Sequence, residues 1–151
     1  MTDVDLTKGG ARVSPVNFGE RNVGFVVAKE VRYSDFAAAD DIVKLIDIPE
    51  NSFVARVMIV IKEVFNGTSP QLNVGDDEDP NGYLADADVD CTSLVLCADT
   101  DSPTCAAAYM LQKARRFYTA ADTLDVEFGY TGTPTTGKAI VIAEIVTVPG
   151  V

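Results

Sequence analysis

Gly132-Thr133-Pro134-Thr135-Thr136-Gly137-Lys138 carries the glycine and lysine spacing of a phosphate-binding loop. Such a loop works because a strand leads in and a helix leads out, so that backbone N–H groups cradle phosphate at the helix N-terminus. Here the lysine is followed by Ala139, which has no hydroxyl for magnesium, and the run from Ala139 to Val148 is β-branched. On the other side Leu124, Val126, Phe128 and Tyr130 alternate with period two. The spacing predicts a β-hairpin closed by a Gly, Pro and Thr turn, and no nucleotide site.

A second concentration of chemistry is acidic. Asp76, Asp77, Glu78 and Asp79 precede Asp86, Asp88 and Asp90, a dense supply of hard oxygens for calcium. The alternation from Asp86 to Asp90 matches the first three ligand positions of an EF-hand. The match then fails, because the required glycine is Cys91 and the bidentate twelfth position is Cys97. A solvated acidic loop with no metal or cofactor is the expectation. A calcium loop of another kind, drawn from Asp76, Asp77, Asp79, Asp86, Asp88 and Asp90, is the alternative.

Catalytic groups are few. The chain has no histidine, which excludes Ser-His-Asp and Cys-His schemes. Glu63, Glu127 and Glu144 could pair for glycoside hydrolysis, but no Trp supplies a sugar platform, and solvent-facing carboxylates are the plainer reading. The expectation is no enzyme and no catalytic residue. Cys91, Cys97 and Cys105 form no CxxC pair and read as reduced thiols, and zinc would lack a fourth ligand. Arg115, Arg116, Phe117 and Tyr118 join basic and aromatic side chains, a combination common at protein interfaces, and are the interface candidates. The plainer reading of these four is two surface arginines beside two core rings.

The elements that must position these groups are mostly strands. Gly24–Tyr33, Ile42–Ile48 and Phe53–Phe65 read as strands, with Pro49 to Ser52 as a turn and Ser34 to Asp41 as a loop or helical turn. Phe53, Ala55, Val57, Ile59 and Ile61 predict one apolar face of a strand placed mid-sheet. Asn66-Gly67 predicts a hairpin reversal. Leu72 to Val74, Tyr83 to Ala85 and Thr92 to Leu96 are short strand candidates. Residues 103–116 read as helix by propensity or as strand by their surroundings, with the balance slightly toward strand. Eight or so strands and at most one short helix argue for a β-sandwich or barrel; an all-β, single-domain antiparallel sandwich over residues 21–151 is the expectation, behind an N-terminal arm at residues 1–20.

Composition bounds the partners. There are 151 residues and a formal charge of −11, from 23 acids and 12 bases. That surface repels phosphate backbones, so no direct nucleic-acid contact is expected. The first ten residues are polar, which predicts no secretory signal and synthesis in a cytoplasm. Val57 to Ile61 is too short to span a bilayer, so no membrane partner is expected.

Val64 to Gly75, an acidic loop, then Gly82-Tyr83-Leu84 resembles a succession found in small structural proteins of tailed bacteriophages. Tyr118 to Val126, a Gly/Pro/Thr turn, and Thr136 to Ile145 are similar to their final hairpin. The likeness covers roughly residues 50 to 148, and the Cys91 to Cys105 segment departs from it. The resemblance implies a virion protein at the capsid surface, a decoration or cement protein with a jelly-roll-like sandwich. It implies assembly as a dimer or trimer and contact with the major capsid protein, and it carries no catalytic residue. A tail- or fibre-associated module recognising a host glycan or surface protein is the alternative.

Overall fold

Alternating apolar side chains build the core, as their period of two requires. In β8 (Lys138–Thr147) Ala139, Val141, Ala143 and Ile145 are fully buried, and in β7 (Asp122–Thr131) so are Leu124, Val126 and Phe128. The computed structural model describes residues 24–86, 89–98, 109 and 116–148. The remaining described strands are β1 (Gly24–Arg32), β2 (Asp41–Ile48), β3 (Ser52–Glu63), β4 (Thr68–Gly75), β5 (Leu96–Ala98) and β6 (Phe117–Tyr118). One 3-10 turn, Tyr33–Asp35, follows β1.

Every named pairing is antiparallel. The first sheet runs β1-β8-β3-β5, with β6 also on β3, and the second runs β2-β7-β4. The pairings nest: β1 with β8, β2 with β7, and β3 with β5. Inside them, β4 meets a single bridge from Val74 to Leu84. Strands that pair outermost-to-innermost and alternate between two sheets are wound as a jelly roll. The chain is therefore an all-β sandwich of jelly-roll type.

Winding overturns two local readings. β7 and β8 lie in different sheets, so Gly132 to Gly137 is a corner between sheets and not a hairpin turn. β3 and β4 are likewise split, so Asn66-Gly67 also turns a corner. The two corners are fastened to each other. The Asn66 carboxamide oxygen accepts from the backbone N–H of Thr135 at 2.7 Å and of Thr136 at 3.0 Å. Its amide nitrogen donates to Thr135 Oγ1 at 2.9 Å, and Thr136 Oγ1 donates to the Val64 carbonyl at 3.0 Å. Turn chemistry was legible locally; which strand the turn delivered was not.

β3 also corrects its predicted face. Its position inside the sheet is as expected, and Val57, Ile59 and Ile61 point inward. A register shift between Val54 and Arg56 flips the start of the strand, so Ser52 and Val54 are buried while Phe53 and Ala55 turn out. A one-residue bulge exchanges the two faces of a strand. Tyr83 to Ala85 makes only the Leu84 bridge, and the strand predicted at Thr92 to Leu96 begins instead at Leu96. Residues 1–20 and most of 103–116 lie outside the described residues. Within 103–116 only Tyr109, which has helical backbone, and Arg116, which leads into β6, are described.

Candidate functional site

The acidic turn after β4 is built around one buried carboxylate. Gly75 must be glycine, since a Cβ there would lie 1.9 Å from the Asp79 carbonyl oxygen. That close approach folds the turn back so that Asp76, fully buried, faces inward. Asp76 Oδ1 accepts from the backbone N–H groups of Glu78 at 3.0 Å and Asp79 at 2.9 Å. The Tyr109 hydroxyl donates to the same oxygen at 3.0 Å, and the Tyr118 hydroxyl donates to Oδ2 at 2.7 Å. Tyr83 stands 2.7 Å from the Tyr118 hydroxyl, whose proton is given to Asp76, so Tyr83 is the donor of that pair.

Arg116 closes the cluster. Its Nε lies 3.1 Å from Asp76 Oδ2, its NH1 reaches Glu78, and its NH2 is 3.9 Å from Asp122. The guanidinium covers the rings of Tyr118 and Tyr109, at 5.0 and 5.6 Å from their centroids. Burial works against its charge, but Glu78, Asp76 and the two tyrosines outweigh that penalty and hold it protonated. Burial, then the Asp76 carboxylate, pushes the Tyr118 and Tyr109 hydroxyls well above the usual phenol range. A carboxylate with both oxygens so engaged ties β4, β6 and the acidic turn together.

A second carboxyl sits nearby on the outer face of β7. Asp125 is 2 % exposed, and no donor among the described residues reaches its Oδ2. Its Oδ1 accepts from Thr123 Oγ1 at 2.7 Å. Burial raises Asp125 to about 6, the Thr123 bond lowers it, and the adjacent Asp77 carboxylate raises it again. Lys44 Nζ bridges to Asp77 at 3.2 Å. Lys44, Asp47, Asp77, Ala121, Asp122 and Thr123 line a shallow cleft of about 340 Å³ beside it.

The other sequence candidates are dispersed. Asp79 Oδ1 accepts from the Asn81 N–H at 3.4 Å, and Asp90 Oδ1 is held by Thr92, whose hydroxyl and N–H keep that carboxyl below its usual range. Asp86 is exposed, and Asp88 lies outside the described residues. No group of three or more metal-ligating side chains converges among the described residues. Glu127, on the outer face of the second sheet, accepts from Asn73 at 3.4 Å, whereas Glu144 points from the outer face of the first, opposite Arg56. Glu63 is exposed at the end of β3. Glu127 and Glu144 thus face away from each other. Of the interface candidates, Tyr118 is buried, Arg116 is turned into the Asp76 cluster, Phe117 is 39 % exposed, and Arg115 lies outside the described residues. Sequence reasoning missed Tyr83, Tyr109 and Asp125, whose spacing gives no sign of the convergence that the winding creates.

The fold is shared with chains of three phage capsids. A chain of the acidic stable capsid structure of Helicobacter pylori bacteriophage KHP30 superposes with a TM-score of 0.56 at 13% identity, over 85% of this chain and 90% of that one. A chain of the capsid of Ralstonia phage GP4 gives 0.56 at 19% identity, over 85% and 87%. A chain of the cyanophage Pam1 capsid asymmetric unit gives 0.54 at 15% identity, over 84% and 88%. At these identities the likeness is one of fold. No protein-family model and no curated protein sequence matches the chain.

Proposed function

We propose that this chain is a structural protein of a phage virion, a decoration or cement protein that sits on the capsid surface and links major capsid subunits. The observation that carries the reading is the fold likeness, which spans at least 84% of this chain and 87% of each capsid chain. The jelly roll is an architecture that viral capsid domains use repeatedly. Its polar clusters are consistent with a structural role. Asp76, Arg116 and the tyrosines satisfy one another, and the carboxylates once considered for hydrolysis point from opposite faces. The reading is therefore non-enzymatic, with no cofactor and no nucleic-acid contact.

Shells of the phage that encodes this chain, purified without it, provide the test. Added protein should co-sediment with them to saturation at a fixed copy number and raise the temperature at which they rupture. Virions that lack the chain by quantitative mass spectrometry would sink the virion reading. Virions that contain it, with bare shells that fail to bind it, would sink the cement role alone.

A further inference from the structure

We propose that the outer face of the β1-β8-β3-β5 sheet is a self-association surface that seats the same face of a second copy of this chain. The register places five rows of residues on that face. At its centre Ile140 lies beside Val60, and Ile142 lies between Ala28 and Met58. Leu96 extends the first row, which Glu30 ends, and is 55 % exposed, while Val26, 66 % exposed, lies one row beyond Ile142 beside the Glu144–Arg56 pair. Phe53, Val146 and Phe117 form an apolar end row, so one of the sequence's interface candidates belongs to this face. Single exposed apolar residues are ordinary on a protein surface, but a contiguous band across four strands marks an interaction site.

Three observations choose a second copy as the occupant. The first is area. Four strands and five rows cover roughly 600 Å² per copy, so a face-to-face pair buries about 1,200 Å², above the threshold for a specific interface. The second is charge. Strands of this sheet carry five bases, Lys29, Arg32, Arg56, Lys62 and Lys138, against Glu30, Glu63 and Glu144. Strands of the other sheet carry Lys44 alone against Asp41, Asp47, Asp122, Asp125 and Glu127. Packing the two basic-to-neutral sheets together puts the acidic sheets on opposite outer sides, roughly 30 Å apart at ~10 Å per layer. That separation exceeds the screening length of about 10 Å in ordinary buffer, so the acidic strands of the two copies repel each other little.

The third observation is the edge. Lys29 pairs with Val141 and so projects on the core side of the edge strand β1. An inward-pointing charge at a sheet edge discourages strand-to-strand addition. Pairing through the β1 edge is thereby disfavoured, and a self-complementary face closes about a twofold axis.

The full-length chain tests this in solution by sedimentation equilibrium. We expect twice the 16.1 kDa chain mass at micromolar concentration. Ile142→Glu should weaken the dimer at least tenfold, and so should Leu96→Glu, whose exposed position leaves the fold unaffected by circular dichroism. Ile42→Glu, on the outer side of the other sheet and 44 % exposed, should leave it intact. A monomeric or trimeric wild type overturns the proposal, as does a dimer that survives both face variants. A monomer would give the face to residues 1–23 or to a shell subunit. The inference stands apart from the capsid reading, because a chain that binds no shell is still predicted to be dimeric.

Discussion

Asp125 is the residue whose environment makes the most specific demand on solution behaviour. Burial pushes its carboxyl up to about 6 in the folded chain, above the ordinary aspartate value of about 3.9. Protonation therefore favours the folded state: the contribution is complete below pH 4 and is lost as pH rises through 6, a change of about 3 kcal/mol. Lys44, Asp77, Asp122 and Thr123 are the groups that surround it. Asp125→Asn should be more stable than wild type in urea at pH 7.5 by about 1–3 kcal/mol and indistinguishable near pH 4. A variant that loses stability at pH 7.5 would show that the ionised carboxylate has a partner there. The Asp76 cluster makes the opposite demand. Tyr118→Phe removes one donor from a buried carboxylate and should cost about 1–3 kcal/mol in urea unfolding. Arg116→Met leaves the charge uncompensated and should cost about 3–5 kcal/mol.

At the scale of elements, the corners decide the winding. Gly137 has φ of 146°, and a Cβ there would lie 2.3 Å from the Phe65 ring. Phe65 in turn stands edge-on to Phe128 with centroids 5.0 Å apart, linking the β3–β4 corner to β7. Gly137→Ala should therefore destabilise the fold by about 2–4 kcal/mol, combining a strained backbone with an overpacked core. Gly132→Ala is the useful contrast. It also has positive φ, at 83°, but its Cβ would meet only Thr68 Oγ1, at 3.9 Å. It should cost about 1–2 kcal/mol, from backbone conformation alone. Equal losses in thermal unfolding would argue that Phe65 is free to move aside.

For the whole molecule, the two outer faces differ in kind. One sets an apolar band around Ile140 and Ile142 among charges of both signs, such as Arg56 and Glu144, and the other gathers Lys44, Asp47, Asp77, Asp125, Glu127 and Asn73. A molecule with such an asymmetry has a defined way round. Residues 1–20 read from their sequence as a polar, glycine-containing arm. Deleting them should leave the urea midpoint unchanged while weakening binding to shells in the sedimentation test. A lower midpoint would make the arm part of the sandwich, and unchanged shell binding would remove it from the proposed contact.

Period-two alternation in β7 and β8, the β-branched runs and the turn residues determined that the chain is an all-β protein, because those signals act between neighbours in sequence. The failed phosphate loop was legible for the same reason: Ala139 and the strand after it are local facts. The jelly-roll partnering was not local. β1 meets β8 and β2 meets β7 across most of the chain, so a sequence window showing β7 followed by β8 reads as a hairpin. The inversion at the start of β3 needed its bulge against β8, and the buried partners of Asp76 come from positions up to 42 residues away. The excess of acids was visible in the composition, but that the strands of the second sheet carry acids against Lys44 alone was decided only when winding sent alternate strands to opposite layers.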